Sequence, residues 1–218
     1  MSYIINSVTE REKFQIAELA LASANRGVQG FNPKAHKLTQ SFLLLEQLTN
    51  TTSAQYRFPV LINQQPITNN EQRLNLQDSF IVSSMSVRLA KKSGATDTAF
   101  IPLTYNSPAL TNAAQYAKLY NGIFSLAVNN NVLIPAQTIM QHYNAPRTQA
   151  DAGPPIVENS VNFAIDSFVP VEPNIVLVGT KNNELSINLK EAFSAVDANT
   201  YIQIELRGIL AQNSTNVA

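Results

Sequence analysis

Hydrophobic residues recur with a period of two in several short runs of this chain, and that pattern confines it to sheet structure. The clearest run is 81–89. There Ile81, Met85, Val87 and Leu89 alternate with Val82, Ser84, Ser86 and Arg88. Near the end of the chain Ile202, Ile204 and Leu206 face one way, and Tyr201, Gln203, Glu205 and Arg207 face the other. Leu185, Ile187 and Leu189 alternate, as do Val161, Phe163 and Ile165, while Ile175 to Val178 is continuously apolar. Shorter runs at Tyr56–Ile62 and Phe100–Tyr105 also suit strands, with Pro59 marking an edge or an end. Ile123–Val128 and Val132–Ile134 flank Asn129-Asn130-Asn131, which predicts a hairpin. About eight strands separated by turn signals predict a mainly β, two-sheet sandwich of jelly-roll or Greek-key type.

Helical spacing is confined to the first third and to one insertion. Thr9 and Glu12 form a capping box, and Phe14, Ala17, Leu21 and Ala24 follow at helical intervals, so a helix is expected over 9–26, stopping at Gly27. Residues 37–49 carry Leu38, Phe42, Leu45 and Leu48, which suit a second helix, but a buried strand through Phe42–Leu45 fits as well. The segment 109–120 places Ala113, Tyr116, Ala117 and Tyr120 on one face, with Gly122 as a left-handed stop. The expected organisation is an N-terminal helical arm, 1–54, followed by the sandwich, 55–218. Loops at 63–72 and 141–159 interrupt the strands.

Charge is scarce. Charged residues are 14% of the chain and sum to zero, whereas Asn (24), Gln (15), Ser (17) and Thr (15) supply the polarity. A neutral surface gives little self-repulsion and favours association. It also lacks the basic excess expected of a nucleic-acid-binding domain. Cysteine is absent, so no disulfide or thiolate site exists. No apolar run of about 18 residues is present to form a spanning helix. Met1 to Asn6 does not resemble a secretion signal.

Few residues suggest chemistry. His36 and His142 stand far apart in polar surroundings and read as exposed or incidental. A triad of His142, Asp151 and a serine has no nucleophile elbow to support it. The carboxylate pairs Glu71 with Asp78 and Asp166 with Glu172 could serve hydrolysis, but turn capping explains them more simply. No phosphate-cradling glycine motif occurs, and no cofactor or metal is expected. The densest basic cluster is Arg88, Lys91 and Lys92. Its functional reading is contact with a packaged genome or an acidic neighbour; a solvated strand end is the plainer reading.

Three features resemble virion coat proteins of phages and viruses built from jelly-roll subunits. One is the amide- and hydroxyl-rich composition without Cys or Trp. The second is the run Glu71 to Val82, a polar loop feeding a long alternating strand. The third is Phe168 to Gly179, followed by Leu185–Leu189 and the closing strand Tyr201–Leu210. The likeness is one of texture over roughly residues 55 to 212. It implies subunits that tile a shell in a virion, contacting copies of themselves and other virion proteins, with no catalytic residues. The chain departs from the pattern in lacking a strongly basic N-terminal arm. The expected contacts are Phe14 and Leu21 on the first helix, Phe31 in the breaker segment and Tyr143 in the long loop. The alternative is a sugar- or receptor-binding sandwich of a phage spike or cell surface, with the Tyr143 loop as its recognition surface. An enzyme is not expected.

Overall fold

The computed structural model describes residues 10–24, 37–65, 71–97, 99–103, 110–143 and 168–214. Among these residues there are nine strands: β1 (Lys37–Leu48), β2 (Gln55–Pro59), β3 (Ser79–Lys92), β4 (Phe100–Leu103), β5 (Ile123–Val128), β6 (Asn131–Thr138), β7 (Val169–Val178), β8 (Asn183–Asn188) and β9 (Thr200–Gln212). Two α-helices accompany them, α1 (Glu10–Ala24) and α2 (Ala113–Tyr120). The five-stranded sheet runs β1-β9-β3, with β4 and β7 both pairing the far side of β3. The four-stranded sheet runs β2-β8-β5-β6. Each pairing between these strands is antiparallel.

With the short β4 set aside, the pairs nest. The first strand pairs the last (β1 with β9), the second the next to last (β2 with β8), then β3 with β7 and β5 with β6. The nested pairs also alternate between the two sheets, β1 with β9 and β3 with β7 in the larger, β2 with β8 and β5 with β6 in the smaller. That is a hairpin of strand pairs wrapped round a common core, the jelly-roll arrangement. The expected sandwich is therefore observed, in its jelly-roll form.

Alternation explains the core. Leu43 and Leu45 of β1, Val87 and Leu89 of β3, and Ile202 and Ile204 of β9 meet Phe58, Phe124, Leu126, Leu185 and Ile187 from the other sheet. Burying such side chains is worth about 1.5–3 kcal/mol each. Residues 37–48 are thus a strand, paired with β9 along their whole length, and Leu43 and Leu45 join the same core as β2. The helical spacing of Leu38, Phe42 and Leu45 has no part in the outcome.

The phase of β3 differs from the simple alternation. Its register shifts between Val82 and Ser84, leaving Ser83 as an extra residue opposite β9. Such a bulge reverses which face the following residues meet. Phe80 and Val82 therefore share the core with Met85, Val87 and Leu89, while Ile81 points to the outer face. There it packs with Ala211 under Ala17 and Leu21 of α1. Gly208 of β9 lies at the bulge, where a β-carbon would collide with the Ile81 carbonyl.

The remaining elements follow local rules. The β5–β6 hairpin turns through Asn129 (φ 50°) and Asn130 (φ 61°), the left-handed pair that a two-residue hairpin requires and Asn tolerates. Helix α2 buries Tyr116, Leu119 and Tyr120. Gly122 follows it without a left-handed φ; its role is closeness, since a β-carbon would lie 2.9 Å from the Leu119 carbonyl oxygen and 3.1 Å from that of Asn188. Val161, Phe163 and Ile165 lie outside the described residues, as does Gly27.

Candidate assembly surfaces

The outer face of the five-stranded sheet divides into two halves. One half is apolar and covered by α1. The other is polar and closed by its own side chains. Arg88 on β3 donates to Glu205 at 2.8 Å and to Gln203 at 3.2 Å, both on β9. Gln203 in turn donates to Glu46 of β1 at 3.1 Å, and Arg207 donates to Glu205 at 2.8 Å. The Arg207 guanidinium also stacks 3.7 Å from the Phe168 ring centroid. The Lys92 ammonium sits 4.5 Å from the Phe100 centroid and 5.1 Å from that of Tyr201, a cation–π arrangement, with the residue itself buried. Arg88 and Lys92 thus have partners within the chain, and Lys91 is half-buried close enough to Asp197 to favour its charge.

The carboxylates have structural surroundings too. Glu71 holds Arg73 in a two-pronged ion pair, with bonds of 3.2 and 2.6 Å and side chains 1% and 2% exposed. Asp78 accepts from the Asn213 N–H at 2.9 Å and from the Asn75 amide at 3.1 Å. Asp197 accepts from the backbone N–H groups of Thr111 (2.8 Å) and Asn112 (3.0 Å), so it holds the residues that lead into α2 from a distant loop. Burial raises its pKa, but the N–H bonds from Asn112 and Thr111 and the nearby Lys91 outweigh that, and the carboxyl lies below its ordinary range. The Tyr116 hydroxyl accepts from the Asp197 N–H at 2.7 Å, and burial pushes its pKa up. Glu172 is exposed before the cis Pro173, while Asp166, Asp151 and His36 lie outside the described residues.

His142 is not an exposed loop histidine. It closes the 3-10 turn Ile139–His142 and is fully buried. Neighbouring Tyr143 is half-buried, its ring edge-on to Tyr120 at 5.0 Å. Leu21 is fully buried on its own sheet, Phe14 is half-buried, and Phe31 lies outside the described residues. Among the described residues no cluster of three or more His, Asp or Glu side chains is arranged to hold a metal.

Two exposed stretches are apolar and bear directly on association. On α1, Ile16 (44%) and Leu19 (72%) face away from the sheet, opposite Ala17 and Leu21. Sequence periodicity identified the buried stripe and not this second one. Strand β6, an edge of the smaller sheet, exposes Val132 and Leu133 and carries no charged residue. Pro135 and two register shifts break its ladder, the usual protection of an edge. Between β6, β7 and α1 lies a groove of about 760 Å³, with Leu133, Pro135, Pro170 and Ile175 as apolar lining and Glu172 and Lys181 at its polar margin.

Strand β1 is the edge of the larger sheet. The Leu44 N–H donates to the Gln72 carbonyl at 2.9 Å, and the Gln72 N–H returns a bond to Leu44 at 3.0 Å. The Glu46 N–H donates to the Glu71 carboxylate at 3.2 Å. The clasp formed by Glu71 and Arg73 therefore covers the edge at residues 44 and 46. Toward the start of β1 no described strand covers it. The sequence matches no family model, and no curated protein matches it in sequence comparison.

Proposed function

We propose that the chain is a structural subunit that assembles with copies of itself into a shell, in the manner of the jelly-roll coat proteins of phages and viruses. The observation that carries this reading is the contrast between the paired charges and the exposed apolar stretches. Arg88, Arg73, Glu71, Glu205 and Lys92 are tied to partners inside the subunit. Edge strand β6 and the outer stripe of α1 offer exposed apolar side chains, Val132, Leu133, Ile16 and Leu19, and β6 carries no charge. A stiff sandwich presents those surfaces in fixed geometry. Weak contacts repeated around closed symmetry then give a stable assembly. Its place is the virion, beside other coat components.

Light scattering and electron microscopy of the purified chain test this reading. The expected result is large, regular particles that persist to about 1 M salt, where the screening length is about 3 Å and exposed ion pairs contribute little. A chain that stays monomeric at every concentration and turns over a substrate overturns it. The groove between β6 and β7 favours a second reading, a ligand- or receptor-binding module. A specific glycan bound by a stable monomer supports that alternative.

A further inference from the structure

We propose that the half of the β1 edge that no described strand covers, Leu38 to Phe42, pairs with the same segment of a second copy across a two-fold axis at Gln40, making one continuous sheet of two five-stranded sheets. This deepens the self-assembly reading and rests on it. The backbone sets the argument. In an antiparallel strand alternate residues direct both N–H and C=O to the same neighbour. Thr49 donates to Thr200 of β9, whereas Leu44 exchanges both bonds with Gln72 on the other side. Even-numbered residues of β1 therefore turn their backbone groups away from β9. Leu44 and Glu46 are satisfied by the clasp. Leu38, Gln40 and Phe42 direct three N–H and three C=O groups to the open side, where no described strand meets them.

A second copy fits this stretch on three counts. The segment carries no charge between Leu38 and Leu45, so two copies meet without repulsion. A two-fold axis at Gln40 sets Gln40 against its mate and Leu38 against Phe42, whose side chain is 43% exposed. The ladder also has a built-in stop, because the Gln72 segment occupies the edge at Leu44. Helix α1 makes its main contacts with β7 and β3, and the outer-face side chain of Leu38 packs against the patch of Ala17, Leu21, Ile81 and Ala211. The pairing supplies roughly six backbone hydrogen bonds, two at each of the three outward positions.

The chain lacks cysteine, so Gln40→Cys creates a single thiol. Directly opposed residues of a hydrogen-bonded pair lie about 5.5 Å apart at Cα, within disulfide range. Mild oxidation of assembled Q40C is expected to give mostly disulfide-linked dimer on a non-reducing gel. Arg57→Cys, exposed on β2, serves as the collision control and is expected to give little. Gln40→Pro removes the outward N–H while Thr39 and Ser41 keep their bonds to β9. Losing two bonds at the axis should weaken association by roughly thirtyfold. A melt by circular dichroism checks that Q40P folds; should it unfold, Gln40→Lys, which sets two like charges on the axis, replaces it. Particles unchanged by these variants, with no Q40C dimer, overturn the pairing and leave self-assembly standing. A wild-type chain that is monomeric at every concentration overturns both.

Discussion

Arg73→Met should lower the melting temperature by about 6–20 °C. The Glu71–Arg73 pair is shielded on all sides, with side chains 1% and 2% exposed. The Arg73 Nη1 also donates to the Gln65 carbonyl at 2.9 Å, and Glu71 accepts from the Glu46 N–H. Removing one partner leaves an uncompensated buried charge, a cost of about 3–5 kcal/mol. For a domain of this size each kcal/mol shifts the midpoint by about 2–4 °C. Glu71→Gln should also lower the midpoint, because it keeps the shape and one acceptor but leaves the Arg73 cation without its counter-charge. The double variant Glu71→Leu with Arg73→Met should recover much of the loss, since no lone charge remains. Thermal unfolding of the parent, the single variants and the double variant closes the cycle. A midpoint for Arg73→Met within about 2 °C of the parent refutes the reasoning, because it means that water already reaches the pair.

Two more outcomes follow. Gly208→Ala forces a β-carbon into the Ile81 carbonyl at the β3 bulge, so β3 and β9 must separate there; denaturant titration should show a loss of about 1–3 kcal/mol, and an unchanged midpoint removes the close-approach argument. Asp197 has a lowered pKa in the folded chain, so as acid is added the unfolded chain takes up its proton first. Its contribution is full above the ordinary carboxylate pKa, about 3.9, and is lost as the pH falls through the lower folded value. Asp197→Asn should therefore be less stable at neutral pH and show a shallower stability loss below about pH 4, read from urea midpoints across pH.

The strands and the hairpin were legible because alternation and paired asparagines are local signals. The phase of Ile81 was not, since a bulge adds a residue with no mark of its own and its clearest correlate, Gly208, lies on another strand. Residues 37–48 were ambiguous because β1 carries Leu44 and Phe42 outward as well as Leu43 and Leu45 inward, which blurs a period of two. The basic cluster read as a solvated strand end because the partners of Arg88, Gln203 and Glu205, are 115 and 117 residues away. His142 looked incidental for the same reason: only the turn that buries it reveals its place. The half of the β1 edge that no described strand covers was equally invisible, since it is defined by where Gln72 crosses.

Helix α1 is fastened to the sandwich through a small patch of its own, Ala17 and Leu21 against Ile81 and Ala211, and among the described residues none of its side chains belongs to the core between the sheets. Losing its grip would wet that patch and leave the inner wall intact. Amide exchange in α1 should accordingly run ahead of exchange in β9, with the helix behaving as a latch that lifts while the block behind it keeps its shape.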